Sequence, residues 1–219
     1  MNESKKLLAD YYNDSYKTLF SEGSCGKLWK FIHTWMERPF CTISDENILE
    51  IGSGSGEHFN FVKSNFGSYE MTDIDISRIT GEFQQKVNVK IANALKLDYP
   101  DNTFDRVIVT CVLLHLDKPE VAINEIHRVL KPEGVAVIYL PCEPGLMFRI
   151  IRKLTVEHKT SKLLGSNRAA KIIHFTEHRA SYQAVNFFIR DRFAVKSRHF
   201  PFFISSWNLN LFSIYFARK

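Results

Sequence analysis

The sequence predicts an α/β fold built on a doubly wound, mostly parallel sheet with helices on both faces. Three observations carry the prediction. Apolar, β-prone runs alternate with helix-period segments through residues 47–140, the rhythm of successive βα units. The run Arg106–Leu114 is almost uninterrupted in apolar residues, as strands covered on both faces are. The first run, Asn47-Ile48-Leu49-Glu50-Ile51, breaks into Gly52, Gly54 and Gly56 at alternate positions. That pattern reads as strand, tight turn and helix, a place where the backbone can approach a small ligand closely.

Taken in order, residues 3–20 set Leu7, Leu8, Tyr11, Tyr12, Ser15 and Leu19 at helical spacing, and 26–37 repeat the pattern with Leu28, Phe31, Ile32 and Trp35 before Pro39. These two amphipathic helices form either a lid, with Tyr11, Tyr12 and Tyr16 as contacts, or a pair packed on the sheet. Phe59, Phe61 and Val62 continue the glycine turn as a helix. Tyr69–Ser77 alternates as a second strand and ends at a helix start on Ser77, a residue type suited to capping. Val87–Ala92 is a third strand and Arg106–Leu114 a fourth. Pro119 opens a helix striped by Val121, Ala122, Ile126, Val129 and Leu130, closed by Lys131-Pro132-Glu133-Gly134 before the strand Val135–Leu140. Beyond Pro141 the rhythm breaks into a basic, irregular stretch, 142–176, with a helix at 146–156. A helix over 177–190 and two β-prone segments, Arg192–Phe200 and Asn208–Ala217, close the chain.

The expected organisation is one domain over 1–219, with a helical lid at 1–40, a ligand-binding core at 47–141, a basic acceptor lid at 142–176 and a closing helix and strands at 177–219. At 45% apolar and 24% charged residues the 219-residue chain can bury a sizeable interior. No apolar run approaches the ~18–20 residues that span a bilayer, and the opening Met-Asn-Glu-Ser-Lys-Lys lacks the plan of a signal peptide, so a cytoplasmic protein is expected. Cys25, Cys41, Cys111 and Cys142 make no CxxC or Cys/His ligand pair, so neither a metal nor a disulfide framework is expected. Residues 1–141 carry 15 basic and 20 acidic side chains, while 142–219 carry 14 and 4. The second part is therefore strongly basic, which suits an anionic partner.

Five motifs fall in order along this frame: Glu50-Ile51-Gly52-Ser53-Gly54-Ser55-Gly56, Asp73-Ile74-Asp75-Ile76-Ser77, Asn93-Ala94, Phe104-Asp105-Arg106-Val107-Ile108 and Arg128-Val129-Leu130-Lys131-Pro132-Glu133-Gly134. In these the chain resembles the class I S-adenosylmethionine-dependent methyltransferases, particularly the small-molecule enzymes of the type 11 group. The resemblance implies a Rossmann-like, seven-stranded sheet with an antiparallel C-terminal strand. It implies S-adenosylmethionine as cofactor, held by Glu50, Gly52, Ser53, Gly54, Gly56, Asp75, Ile76, Asn93, Ala94 and Cys111. The glycine spacing agrees independently, because dinucleotide sites use GxGxxG beside a pyrophosphate that adenosylmethionine lacks. Glu50 would face the cationic aminoacyl and sulfonium end, or else accept the turn's backbone amides. Asp75 would accept the ribose hydroxyls, with Asp73 supporting or facing solvent. Asn93 stands where the family more often has aspartate, and its amide oxygen can still accept a hydrogen bond from adenine.

Methyl transfer depends on alignment, and a base is needed only for a poor nucleophile. His115, just after the fourth strand, is the candidate base from position, with the packed-histidine reading beside it. Glu143, His158, His174 and His178 are further candidate bases or acceptor contacts. The absence of an Asn/Asp-Pro-Pro-aromatic tetrapeptide after that strand argues against exocyclic amino methylation of nucleic acid. Arg149, Arg152, Lys153, Lys159, Lys162, Arg168 and Lys171 favour a small anionic acceptor, a metabolite or nucleotide-linked sugar methylated on O or N. Charge alone also admits RNA, but no RNA-binding motif accompanies it, and Phe187, Phe188, Phe200, Phe202, Phe203 and Trp207 lie in segments that read as core. Phe202–Phe216 with its flanking arginines keeps contact with an anionic membrane surface as a minor option. A nicotinamide oxidoreductase and a non-catalytic cofactor-binding domain are the alternative classes.

Overall fold

The computed structural model describes residues 7, 11, 23–44, 46–79 and 87–219. The alternating runs form strands β1 (Asn47–Ile51), β2 (Ser68–Asp73), β3 (Val87–Ile91), β4 (Phe104–Thr110), β5 (Leu130–Pro141), β6 (Ala194–Phe200) and β7 (Phe212–Arg218). They share one sheet in the order β3-β2-β1-β4-β5-β7-β6. The first five are parallel to their neighbours, and β7 is antiparallel to both β5 and β6. This is the mixed sheet expected, closed by one reversed strand. Strand order reverses between β1 and β4, so a crevice opens beyond their carboxyl ends, where such sheets bind ligands.

Six α-helices surround the sheet among the described residues: α1 (Gly23–Glu37), α2 (Pro119–Val129), α3 (Leu146–Arg152), α4 (His158–Leu164), α5 (Asn167–Glu177) and α6 (Tyr182–Arg192). Apolar residues of β1 divide by parity, as the strand period of two requires. Leu49 and Ile51 join Ile123 and Ile126 of α2 and Val185 and Ile189 of α6, while Ile48 joins Ile32 and Met36 of α1. Both faces are covered, which is why β1 and β4 read as continuous apolar runs. Among the described residues no helix is long and apolar enough to cross a membrane.

Arg106 breaks the apolar grammar of β4, and the fold explains it. Its guanidinium is fully buried, donating to Glu37 at 2.9 Å and Ser64 at 2.9 Å, with Glu46 at 3.1 Å and its plane 4.3 Å from the Phe40 ring centre. A buried charge needs this compensation, and here it ties the end of α1 to the central strand.

Several expectations are corrected. The helix expected after the glycine turn is a short 3₁₀ turn, Glu57–Phe61, because only Val62–Gly67 remain before β2 begins. The helix start expected at Ser77 is a 3₁₀ turn, Ile76–Arg78, capped by Asp75. The fourth strand stops at Thr110, as its neighbour β1 does at Ile51, and Leu113–His115 is a buried 3₁₀ turn; burial, not extension, accounts for its apolar run. The stretch 142–176 is not irregular, since α3 passes through a π-helical turn, Lys153–Glu157, into α4 and α5. Gly165, at φ +62°, ends α4, and Ser166 caps α5, an αL stop followed by an N-cap. The final strand begins only at Phe212, because Asn210 folds the preceding residues into a loop by accepting from Phe202 N and donating to Ile204 O and Ser206 O. In consequence Phe202 and Phe203, expected in the core, are exposed, as is Phe187 on the outer side of α6. The expected helix over 3–20 lies outside the described residues, apart from Leu7 and Tyr11.

Candidate active site

The glycine turn is held from beneath by β2. The Gly52 and Ser53 amides both donate to Thr72 O, at 2.7 and 3.0 Å, and the Thr72 hydroxyl donates to Glu50 O at 2.7 Å. Gly52, Gly54 and Gly56 all have positive φ, between +59° and +80°, a region L side chains enter only at a cost. A Cβ on Gly52 would also lie 2.1 Å from Val112, so this residue seats the turn against the end of β4. A Cβ on Gly54 would meet nothing within 4 Å, and that face of the turn is open to a ligand.

The acidic residues divide their work differently from expectation. Asp73, expected only to support the site or face solvent, organises the turn: its carboxylate accepts Gly54 N at 2.8 Å and Asp75 N at 3.0 Å. Glu50 is fully buried; one oxygen takes the Tyr69 hydroxyl at 2.7 Å, the other has no hydrogen-bond partner among the described residues, and burial raises its pKa. Asp75 is exposed at the end of β2. Ser77 donates to it from both its hydroxyl, at 2.6 Å, and its amide, at 3.0 Å, and these bonds lower its pKa, so a carboxylate faces solvent there. Ile76 follows it half-buried. Asn93, beyond β3, is exposed and folds an Asx turn by accepting Leu95 N at 2.9 Å, beside buried Ala94.

A second feature lies beyond the ends of β4 and β5. A cavity of about 150 Å³ is walled mainly by apolar and aromatic side chains, Trp29, Ile32, Tyr139, Phe148 and Phe212 among them, and Tyr11 reaches it from the N-terminal segment. Tyr12 and Tyr16 lie outside the described residues. The polar groups converging on the cavity include Cys111, His115, Arg152 and His178. Of the seven basic residues expected to line an acceptor lid, only Arg152 faces it; the other six are exposed.

His115 and Cys111 are brought together with His178, as one ligand-type atom from each lies within 4.8 Å of the others. Cys111 has φ +62° and its Sγ lies 3.9 Å from His178 Nε2. Burial opposes the thiolate, but hydrogen bonds from the two imidazoles outweigh it and bring the Cys111 pKa down to about 7. Burial also disfavours charge on His178, yet Cys111 and Glu143 raise its pKa to about 10. Glu143 does not line the cavity. It stands behind His178, with Oε2 2.5 Å from Nδ1, and is bridged by Arg152 at 3.2 Å. His115 donates from Nδ1 to Glu177 O at 2.8 Å, which leaves the lone pair of that tautomer on Nε2.

His178 was only one of several histidines in the sequence, and its position is set by backbone. The Arg179 and Ala180 amides donate to Leu114 O at 2.7 and 3.0 Å, hanging the segment before α6 on the turn after β4. The available signal was Ser181, which caps α6 by accepting Ala184 N, so the residues before it had to be extended. His174 lies 3.4 Å from Glu143, and nothing is described of the His158 side chain.

Residues 49–138 match the family described as a methyltransferase domain. The N-methyltransferase NodS of Bradyrhizobium japonicum WM9, solved with S-adenosyl-L-homocysteine, has the same fold at a TM-score of 0.66 and 14% identity over 99% of both chains. Residues 49–138 thus carry a methyltransferase domain. The chain is 35% identical over 111 residues to the uncharacterized protein MJ0638 of Methanocaldococcus jannaschii, covering 50% of this chain and 47% of that one. It is 31% identical over 129 residues to the ubiquinone/menaquinone biosynthesis C-methyltransferase UbiE of Neisseria meningitidis serogroup C, covering 52% and 53%. The chain thus spans about half the length of the curated relatives it matches.

Proposed function

We propose that the protein methylates a small acceptor seated in the cavity beyond β4 and β5, using S-adenosylmethionine bound across the glycine turn. The observation that carries this reading is the cavity itself: about 150 Å³, the room of one aromatic ring, with apolar walls and imidazoles at its polar side. Bound cofactor supplies a methyl group on a sulfonium. Gly54 and Ser53 would receive its aminoacyl end, Asp75 its ribose hydroxyls and Asn93–Ala94 its adenine, with Glu50 beneath the turn.

The acceptor this site suits is a single-ring compound with an ionisable hydroxyl or amine. His115, whose Nδ1 is held by Glu177 O, would take the acceptor's proton at Nε2 as the acceptor atom receives the methyl group. Glu143 is a positioning residue acting through His178, and Arg152 can meet an anionic substituent. Methylation on O or N of an anionic acceptor is thereby supported by Arg152 rather than by the whole basic stretch. The C-methyltransferase name of the UbiE relatives fits the same pocket, because an ionised ring hydroxyl activates the adjacent ring carbon.

The test is product formation. Purified protein with methyl-labelled cofactor and a panel of phenols, hydroquinones and aromatic amines should give labelled product and S-adenosylhomocysteine with at least one class. Calorimetric binding of S-adenosylhomocysteine without methyl transfer to any acceptor or to a metabolite extract would sink the catalytic reading and leave a cofactor-binding domain.

A further inference from the structure

We propose that Cys111, His115 and His178 hold a borderline-soft divalent cation of the zinc class, with its remaining position turned to the acceptor cavity. The ligand-type atoms lie within 4.8 Å of one another, with Cys111 Sγ 3.9 Å from His178 Nε2. A tetrahedral zinc ion with bonds of about 2.0–2.3 Å spaces its ligands by about 3.3–3.8 Å, so a small inward movement of side chains completes the set. The chemistry also fits, since thiolate sulfur and imidazole nitrogen are zinc's usual ligands and a set of three leaves its fourth position to water or substrate.

The second observation lies behind the ligands. Metal-bound histidines almost always donate their other ring N–H to a carboxylate or a backbone carbonyl. His178 does so to the Glu143 carboxylate and His115 to Glu177 O, so each ring is locked with its lone pair on Nε2. The three ligands come from separate backbone features that fix them in advance: Cys111 at φ +62°, His115 at the end of the 3₁₀ turn, and His178 on the segment hung from Leu114 O.

Sequence spacing concealed the site, since Cys111 and His115 are four residues apart across the bend and 3₁₀ turn that follow β4 rather than on one α-helix, and His178 is 67 residues from Cys111. With the ion bound, both imidazoles are ligands and neither serves as the base; an acceptor hydroxyl or thiol at the open position would instead release its proton to solvent and be held as the anion, because a bound zinc ion strongly lowers the pKa of such a ligand. That role rests on the proposed methyl transfer; binding of the ion does not.

Chelator-treated protein titrated with Co²⁺ should bind one equivalent per chain with thiolate-to-cobalt charge-transfer absorption and the intense visible bands of tetrahedral coordination, both removed by Zn²⁺. Cys111→Ser should abolish the charge-transfer absorption. Glu143→Gln should retain it with affinity weakened about 10- to 100-fold, and circular dichroism reports that each variant is folded. Zn²⁺ should also protect Cys111 from alkylation, read by mass spectrometry. No Co²⁺ binding by wild type, an unchanged spectrum in Cys111→Ser, or alkylation at equal rates with and without Zn²⁺ would each overturn the site and mark the cluster as a thiolate–imidazolium pair. S-Adenosylhomocysteine binding to metal-free wild type tests the methyltransferase reading separately.

Discussion

His178 presents Nδ1 to the Glu143 carboxylate at 2.5 Å, across 35 residues of sequence and from opposite ends of the helical stretch above the sheet. This bond fixes which imidazole nitrogen faces Cys111 and the cavity. Burial works against ionisation of Glu143, but His178 and Arg152 hold its pKa below the ordinary carboxylate value, so it acts as a carboxylate and not as an acid. Glu143→Gln keeps the shape and removes the charge. Methyl transfer should fall by roughly 10²-fold in kcat, the scale of a misoriented acid–base group, with the cofactor KM unchanged. A parallel rise in cofactor KM would show that Glu143 serves the cofactor instead.

Asp75 and Asp73 should separate cleanly in binding experiments. Asp75 is exposed, and among the described residues its side chain is hydrogen-bonded to Ser77 alone. Asp75→Ala should leave thermal stability near wild type while weakening S-adenosylhomocysteine roughly 10- to 100-fold, the range of a charge-assisted hydrogen bond. Asp73→Ala removes the acceptor for both Gly54 N and Asp75 N, so stability and cofactor affinity should fall together. Calorimetry that finds Asp75→Ala at wild-type affinity would remove Asp75 from the site.

The glycines of the turn give a matched pair. Gly52→Ala meets both positive φ and Val112 at 2.1 Å, and should cost ~2–4 kcal/mol in denaturant unfolding, combining left-handed strain with overpacking. Gly54→Ala meets only the strain and should cost ~1–2 kcal/mol. Its methyl group stands on the open face, so its larger effect should be on cofactor affinity. Equal stability losses with equal binding would contradict the assignment of Gly54 to the ligand-facing side.

Most of the sheet was legible because its grammar is local. Parity along β1 and the apolar run of β4 report two covered faces, and the alternate glycines report a turn that only positive φ allows. The motif residues Glu50, Asp75 and Asn93 stand at strand ends for the same reason. The acceptor side was not legible, because it is assembled by contacts far apart in the chain. Nothing local to His178 says that the Arg179 amide will hang on Leu114 O. The basic residues misled in the opposite way, since on helices α3–α5 a charged face is ordinarily a solvated one, and only Arg152 finds carboxylates inside. The amide-accepting duty that the sequence offered as one reading of Glu50 falls to Asp73, because strand parity says which face a side chain takes, not which amide it reaches.

Buried His33 should make the fold acid-sensitive well above the carboxylate range. Burial and the neighbouring His58 hold its pKa well below 6.5. Its Nδ1 lies 2.6 Å from His58 Nδ1, His58 meets Glu37 at 3.0 Å, and Glu37 pairs with Arg106; Trp29, edge-on to His33, donates to Glu57. Above pH 6.5 the imidazole is neutral in folded and unfolded chains alike, and it contributes no pH dependence. Below that value the unfolded chain takes up a proton that the folded chain refuses, so stability falls with pH by up to about 1.4 kcal/mol per unit. Glu37 behaves separately: burial opposes its ionisation, but His58 and Arg106 keep its pKa below 4.5, so its contribution is present above that value and disappears only at lower pH. His33→Phe, which can keep the stack on Phe61, should therefore flatten the stability profile between pH 5 and 6.5 and leave the acid limb below 4.5 in place. Urea midpoints for the two proteins that run parallel across pH 5–6.5 would show that His33 is not the titrating group.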